Sequence, residues 1–227
     1  MQRKTPFVIG ETYHVFNRGA HKREIFTNES DFKRFMLLLL VANSSERVHL
    51  ANLLIKHKGN LDEIFVSEHP QKPLVAILAY SLMSNHYHIV LKELEEGGVS
   101  LFMKRLMTAY AMYFNAKYDH SGVIFQGRFK SSHIGNSPFE RYIFSYVHLN
   151  PLSLIEKNWE ERGVQDKKKA LVFMRTYPFS SYQDYVGISR SEESIISKSD
   201  APEFVETGDM DDISDLLLNI KDRPLFL

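Results

Sequence analysis

The sequence predicts an α+β domain in which helices pack on one side of an antiparallel sheet. Segments rich in β-forming residues alternate with segments that carry apolar residues at helical spacing, in the order strand, helix, hairpin, helix, strand, helix. Residues 1–190 hold these elements and are predicted to form one domain. Residues 191–227 are polar and acidic, and we expect them to form a partly disordered or regulatory tail.

The first strand and the first helix are predicted from alternation and from capping. Residues 11–18 alternate in polarity and are rich in β-forming types, which indicates a strand. Residues 31–41 place apolar side chains at helical spacing, and Asn28 or Ser30 can cap the start of that helix.

The next stretch, residues 42–72, is polar and mixed in charge, so we predict an insertion between the first helix and the following strand. A short helix is predicted within it at residues 50–56, and the tripeptide 64–66 is β-like. The function of this insertion does not follow from its sequence.

A hairpin and a long helix follow the insertion. Residues 73–80 and 86–93 are predicted to be strands joined by a turn at Ser84 and Asn85. Residues 99–118 carry an apolar stripe at helical spacing, which predicts one long helix.

A further strand is predicted over residues 123–134. It places polar and basic side chains on one face, as expected where a phosphate backbone runs. Taking the whole chain, the candidate DNA contacts are Arg18, Lys104, Arg105, Gln126, Arg128 and Lys130. Each of these could equally be an ordinary surface residue.

The last helix of the domain has a strong start signal. Ser137 is the predicted N-cap, with Pro138 at the first helical position and Glu140 completing a capping box. The helix is predicted to end near residue 149, because the residue before Pro151 avoids helical geometry.

Composition excludes several classes of site. The chain has no cysteine, which excludes disulfides, thiolate catalysis and iron–sulfur clusters. No stretch approaches the ~18 apolar residues that span a bilayer, and the N-terminus lacks the apolar core of a signal peptide. We therefore expect a cytoplasmic protein with no membrane partner.

The net charge is zero, but it is unevenly distributed. Residues 192–227 hold ten acidic and three basic residues, a net of −7, so the remainder carries 25 basic and 18 acidic residues, a net of +7. A basic body is compatible with a surface that binds a polyanion, although a solvated surface with a disordered tail has the same composition.

Two histidines, His86 and His88, stand two residues apart on a predicted strand and therefore point from the same face. Such a pair can bind a divalent metal ion, or the rings can simply pack and form hydrogen bonds. Two imidazoles leave a metal under-coordinated, so a third oxygen or amide ligand must come from elsewhere in the fold.

A tyrosine is the remaining candidate nucleophile, because the chain has no cysteine, no Gly-x-Ser-x-Gly sequence and no glycine-rich phosphate loop. Tyr142, Tyr146 and Asn150 share one face of the last predicted helix. Tyr142 is the rival of Tyr146, and a helix tyrosine can also be merely half-buried. His14 on the first strand could lie under the site, but a structural role is the preferred interpretation, and His148 on the helix is interpreted as structural or DNA-facing.

The combination of His86-Tyr-His88 with Tyr146-x-x-x-Asn150-Pro151 resembles the histidine–hydrophobic–histidine (HUH) nucleases. The chain is most similar to the single-tyrosine transposases, and among them to the REP-associated tyrosine transposases. The resemblance extends from about residue 11 to residue 187, and further matching segments are residues 13–19, 81–91, 113–115, 125–131, 142–151 and 178–182.

This resemblance implies a ferredoxin-like sheet with an HUH nuclease core. It also implies cleavage and rejoining of single-stranded, hairpin-forming DNA, in which Tyr146 forms a 5′-phosphotyrosine link. His86 and His88 would hold Mg²⁺ or Mn²⁺, and Asn150 stands where a third ligand can be supplied. Family members occur as monomers and as homodimers.

Two other functions stay open from the sequence. One is a non-catalytic DNA-binding derivative of such a transposase, and the other is a metallohydrolase of small substrates. The chain also departs from the family pattern in the length of residues 42–72 and in its acidic tail, which could cover a DNA groove.

Overall fold

The computed structural model describes residues 6–206 and 213–221. Its strands are β1 (Thr12–Arg18), β2 (Val75–Met83), β3 (His86–Glu93) and β4 (Lys130–Ile134). Its helices are α1 (Glu29–Val41), α2 (Leu50–Lys56), α3 (Leu61–Ser67), α4 (Gly98–Lys117), α5 (Ser137–Leu149), α6 (Trp159–Arg162), α7 (Lys167–Thr176), α8 (Tyr182–Tyr185), α9 (Glu203–Glu206) and α10 (Ile213–Lys221). Short 3₁₀ helices lie at Ala20–Lys22, Asn150–Leu154, Ser191–Ile195 and Lys198–Asp200.

The four strands form one antiparallel sheet in the order β2-β3-β1-β4. Along the chain, β1 leads through α1 to the β2–β3 hairpin, and α4 then leads to β4 at the far edge. This strand order and connectivity are those of a ferredoxin-like fold, and they confirm the predicted α+β class. The turn at Ser84 and Asn85 lies where the sequence placed it.

The sheet is covered on both faces, whereas the sequence predicted helices on one side. Tyr87 and Ile89 of β3 pack with α1 and α4, and Val90 packs with α5 on the opposite face. All nine residues of β2 are buried. The near-continuous apolar run of that strand has no polar face, which is typical of a strand enclosed between two layers.

The insertion also differs from its prediction, because the β-like tripeptide 64–66 lies inside the helix α3. Asn60 caps this helix by accepting a hydrogen bond from the Glu63 amide at 3.3 Å. Ile64 and Phe65 are buried one beside the other against the core. A run of three apolar residues is too short to distinguish helical from strand periodicity. The N-cap that precedes the run is the local signal for a helix.

The last predicted strand is shorter than expected, since β4 spans only Lys130–Ile134. Residues 123–129 form a loop in which Phe125 makes an isolated bridge to Gly19 and Gly127 adopts a φ of 73°. Consequently Gln126 and Arg128 lie on a loop and do not share a strand face with Lys130.

The start of α5 lies one residue earlier than the predicted cap. Asn136 is the N-cap, and its side chain accepts a hydrogen bond from the Phe139 amide at 2.9 Å. Ser137 is therefore the first helical residue, and Pro138 lies in the first turn, where its missing N–H costs little.

The segment after residue 190 contributes apolar side chains to the core of the domain. Ile195 and Ile196 pack on the α1 and α4 side, and Phe204 packs on the α5 side. Near the C-terminus, α10 packs on α5, and Asn219 of α10 donates a hydrogen bond to the Ser145 hydroxyl of α5 at 3.0 Å. Residues 207–212 and 222–227 of the predicted tail lie outside the described residues.

A buried carboxylate joins the start of α1 to the end of α4. Asp31 has no exposed surface, accepts from Lys117 Nζ and from the Tyr118 hydroxyl, each at 2.7 Å, and accepts from the Thr27 amide at 2.9 Å. Burial alone would raise the pKa of Asp31, but these hydrogen bonds outweigh burial and lower the pKa to about 2.

We expect Asp31→Asn to lower the free energy of unfolding at pH 7 by roughly 3–5 kcal/mol, because Lys117 loses its buried partner. The folded pKa lies below the unfolded one. The contribution of Asp31 is therefore complete above about pH 4 and is lost as the pH falls towards about 2. Urea unfolding should show the difference between variant and parent shrinking over that range. Asp119→Asn, at an exposed position, is the matched control.

Candidate active site and metal centre

The two histidines of β3 face the layer that contains α5. His86 pairs across the sheet with Arg18 of β1, and His88 pairs with Phe16, so these four side chains share a face. His88 is buried, whereas His86 is partly exposed. The site therefore lies at the start of β3, where the covering layer is incomplete.

The end of α5 meets this face through Asn150. Asn150 is buried, and its side-chain oxygen lies 3.0 Å from His86 Nε2. The helix ends here because Pro151 follows and the chain continues as a 3₁₀ helix. The structure thus brings together His86 and Asn150, which are 64 positions apart in the sequence.

The polar groups around His86 fit a cation. His86 Nδ1 lies 2.6 Å from the Asn85 side-chain oxygen, which can only accept, so the proton of the neutral ring sits on Nδ1. His86 Nε2 then presents a lone pair to the Asn150 oxygen, which is also an acceptor. Two acceptors that face each other repel, and a cation between them would attract both lone pairs. Cis ligands of an octahedral Mg²⁺, at about 2.1 Å from the ion, lie about 3 Å apart.

Burial favours the neutral form of both imidazoles, which is the form that binds metal. It lowers the pKa of His86 and lowers that of His88 well below the ordinary value. Within residues 6–206 and 213–221 there is no cluster of three or more His, Cys, Asp or Glu side chains that could hold a metal. The polar side chains that the structure brings together around His86 are therefore imidazoles and amides.

Tyr146 projects from α5 towards the histidines. Its ring lies 5.4 Å from the His88 ring, centroid to centroid, with the planes perpendicular. It also lies 6.3 Å from the His14 ring. Tyr142 stacks on the far side of Tyr146 at 6.0 Å and is only 4% exposed, whereas Tyr146 is half-buried. Of the two tyrosines, Tyr146 is the one beside the histidines.

A structural role was the preferred interpretation of His14, but the structure places it against His88, under the candidate site. Its Nε2 is 2.9 Å from His88 Nδ1, and both rings are buried. The contact depends on the pairing of β1 with β3, which no local sequence signal reveals. His148 is buried and lies 2.8 Å from the Ser181 hydroxyl, away from this contact.

The predicted DNA-binding residues fall into two groups. Arg18 and Lys130 are exposed on the histidine face, and Arg18 Nε donates a hydrogen bond to the side-chain oxygen of Gln126. Lys104 and Arg105 lie on α4, on the opposite side of the sheet. The predicted DNA-binding residues therefore lie on two surfaces, Arg18 and Lys130 on one and Lys104 and Arg105 on the other.

Lys104 and Arg105 line a groove of about 620 Å³ between α1, α4 and the start of the insertion. Arg34 and Arg47 also line it, and Arg105 donates to the Ser45 carbonyl at 3.3 Å. The groove has an apolar floor and no acidic lining residue. Arg128 lines a neighbouring groove on the same side of the molecule.

Residues 8–150 match the family model described as Transposase IS200 like. This region begins just before β1 and ends at Asn150, so it contains both histidines of β3 and Tyr146. The chain therefore belongs to the IS200-like transposase family, whose members process DNA. This family membership confirms the resemblance that the sequence motifs carried.

Two solved structures are similar to the chain at low identity. A REP-associated tyrosine transposase bound to a REP hairpin has a TM-score of 0.45 and 15% identity, over 85% of this chain and 90% of that one. The tRNA(His) guanylyltransferase of Saccharomyces cerevisiae has a TM-score of 0.37 and 12% identity, over 90% and 86%. No curated protein sequence matches the chain. Among the helices that the structure describes, none is long and apolar enough to cross a membrane.

Proposed function

We propose that the protein cleaves and rejoins single-stranded DNA through a 5′-phosphotyrosine intermediate on Tyr146, with Mg²⁺ or Mn²⁺ as the cofactor. The observation that supports this most is the convergence of a half-buried tyrosine, two neutral imidazoles and an amide oxygen at one end of β3. Membership of a transposase family supports DNA as the substrate in this proposal.

Under this proposal, His86 Nε2, the Nε2 of His88 and the Asn150 side-chain oxygen hold the metal. When bound, the divalent cation would polarise the scissile phosphate and offset its negative charge. The protein's part is to hold these three donors in place on β3 and at the end of α5. Asn85 fixes the proton of His86 on Nδ1 and so keeps Nε2 available.

Tyr146 supplies the nucleophile. Its hydroxyl oxygen attacks the phosphorus and loses the phenolic proton to solvent, the bond from phosphorus to the 3′ oxygen breaks, and the leaving 3′ oxygen takes a proton from solvent. The products are a phosphotyrosine link to the 5′ end of the downstream strand and a free 3′-OH on the upstream strand. Attack of a 3′-OH on the same phosphorus reverses the step and rejoins DNA. No nucleotide cofactor is needed, because the phosphotyrosine link preserves the energy of the phosphodiester.

The two groups of predicted DNA contacts suggest how the strand is held. Arg18 and Lys130 lie on the face of the site, and Gln126 contacts Arg18 from the neighbouring loop. There they would bind the backbone and bases next to the cleaved phosphate. Lys104 and Arg105 lie on the reverse side, where they would bind a distant part of the same DNA. Contacts on both sides favour folded, hairpin-forming DNA over one short extended strand.

We expect Tyr146→Phe to abolish the covalent protein–DNA adduct while leaving DNA affinity within about twofold, because only the attacking oxygen is removed. The measurement is a denaturing gel after incubation with Mn²⁺ and labelled single-stranded hairpin DNA. Tyr142→Phe, which changes the stacked neighbour, is the matched control and should keep the adduct. An adduct that survives Tyr146→Phe contradicts the assignment, as does a parent protein that binds DNA and never forms one.

We expect Asn150→Ala to weaken Mn²⁺ binding by at least tenfold, because one of three protein ligands is lost. Asn150→Asp should retain binding, since a carboxylate oxygen can occupy the same position. Isothermal titration calorimetry measures both. His133→Ala is the control, because His133 is exposed and contacts Glu11 away from the site. Equal affinities of the Asn150→Ala variant and the parent would exclude Asn150 as a ligand.

We expect Arg18→Ala to weaken binding of the single strand and to reduce the salt slope of the association constant by about 1, through loss of one phosphate contact. Fluorescence anisotropy over a range of salt concentrations measures the slope. Lys168→Ala removes an exposed charge from α7 and should leave the slope unchanged. An unaltered slope in the Arg18 variant would remove that residue from the DNA surface.

A further inference from the structure

His14 makes a direct contact with one of the proposed metal ligands from a neighbouring strand. Its Nε2 lies 2.9 Å from His88 Nδ1, and the two ring planes differ by 15°. His14 is 3% exposed and His88 is 7% exposed. The near-coplanar rings and the short distance define a hydrogen bond between the two imidazoles.

Aromatic rings enclose this hydrogen bond. Phe16 stacks against both imidazoles, with centroids 5.0 Å from His14 and 5.6 Å from His88. The ring of Tyr146 lies 6.3 Å from His14 and 5.4 Å from His88, and its plane is nearly perpendicular to both imidazoles. Within this group of rings, His14 Nε2 is the hydrogen-bond partner of His88 Nδ1.

The position of one proton decides whether His88 can bind metal. A neutral imidazole has one N–H and one lone pair, so one of the two facing nitrogens donates and the other accepts. If His14 Nε2 donates, the proton of His88 sits on Nε2 and blocks that nitrogen. If His88 Nδ1 donates, Nε2 of His88 keeps its lone pair for the metal. His14 then carries its proton on Nδ1, which has no hydrogen-bond partner among the described residues.

We propose that His14 is a positioning residue that accepts the hydrogen bond from His88 Nδ1 and thereby fixes the tautomer and the orientation of the metal ligand. The inference rests on the proposed metal site. It extends that site by a second layer on β1, in the way that metal-binding histidines generally donate their other N–H to an acceptor. His86 obtains the same support from Asn85, so both ligands would have an acceptor on Nδ1.

Two substitutions separate this role from simple packing. His14→Phe keeps the ring and removes the acceptor, whereas His14→Gln places an amide oxygen near the position of Nε2. We expect Mn²⁺ affinity, measured by calorimetry, to fall by about 10–100-fold in His14→Phe and to stay within about threefold of the parent in His14→Gln. Equal affinity in His14→Phe and the parent overturns the inference, and so does an equal loss in both variants.

A measurement on the unsubstituted protein avoids dependence on folding of the variants. Two-bond ¹H–¹⁵N spectra of the metal-free protein with ¹⁵N-labelled histidine report which nitrogen of each neutral ring carries the proton. We expect the Nδ1–H form for His88, and the Nε2–H form would overturn the inference. His88→Ala distinguishes failure of the proposed metal site from failure of the role of His14. If this variant binds Mn²⁺ as well as the parent does, the proposed metal site itself fails. If it loses binding and His14→Phe does not, only the role of His14 fails.

Discussion

The contact between His86 on β3 and Asn150 at the end of α5 is the constraint on which the site depends. The two polar atoms lie 3.0 Å apart although both are acceptors when His86 is protonated on Nδ1. Holding them there requires the β2–β3 hairpin to set the position of His86 and Pro151 to end α5 at Asn150. The same docking places Tyr146 one helical turn earlier, beside His88.

The helical layer on the histidine face of the sheet, formed by α5 and its neighbours, explains why one part of the site is exposed and the other is buried. The ferredoxin-like core buries one face of the sheet under α1 and α4, and α5 with its neighbours covers part of the other. Val90 and His88 are buried under this layer, whereas His86 at the start of β3 stays partly exposed. A ligand can therefore reach the site at His86. The hydrogen bond between His14 and His88 lies in the buried part of the site, among aromatic rings.

The sequence predicted most of the elements that build the site. The bounds of β3, the helix from residue 137 to 149 and the His86, Tyr146 and Asn150 spacing all follow from local pattern and from motif resemblance. The involvement of His14 does not, because it depends on the register between β1 and β3, which are separated by the insertion and β2. Nor does local pattern assign α4 to the reverse side of the sheet, which separates Lys104 from the histidines. The near-continuous apolar run of β2 is the signal that could have predicted its burial on both faces, although helices were predicted on one side only.

The most direct test of Tyr146 as the nucleophile is to identify the residue to which DNA becomes attached. After reaction with single-stranded hairpin DNA and Mn²⁺, trypsin releases one peptide, residues 142–157, that contains both Tyr142 and Tyr146. Fragmentation of the nucleotide-linked peptide by mass spectrometry assigns the attachment to one of the two side chains. We expect a phosphodiester-linked nucleotide on Tyr146. Attachment to Tyr142, or to a residue outside this peptide, would contradict it.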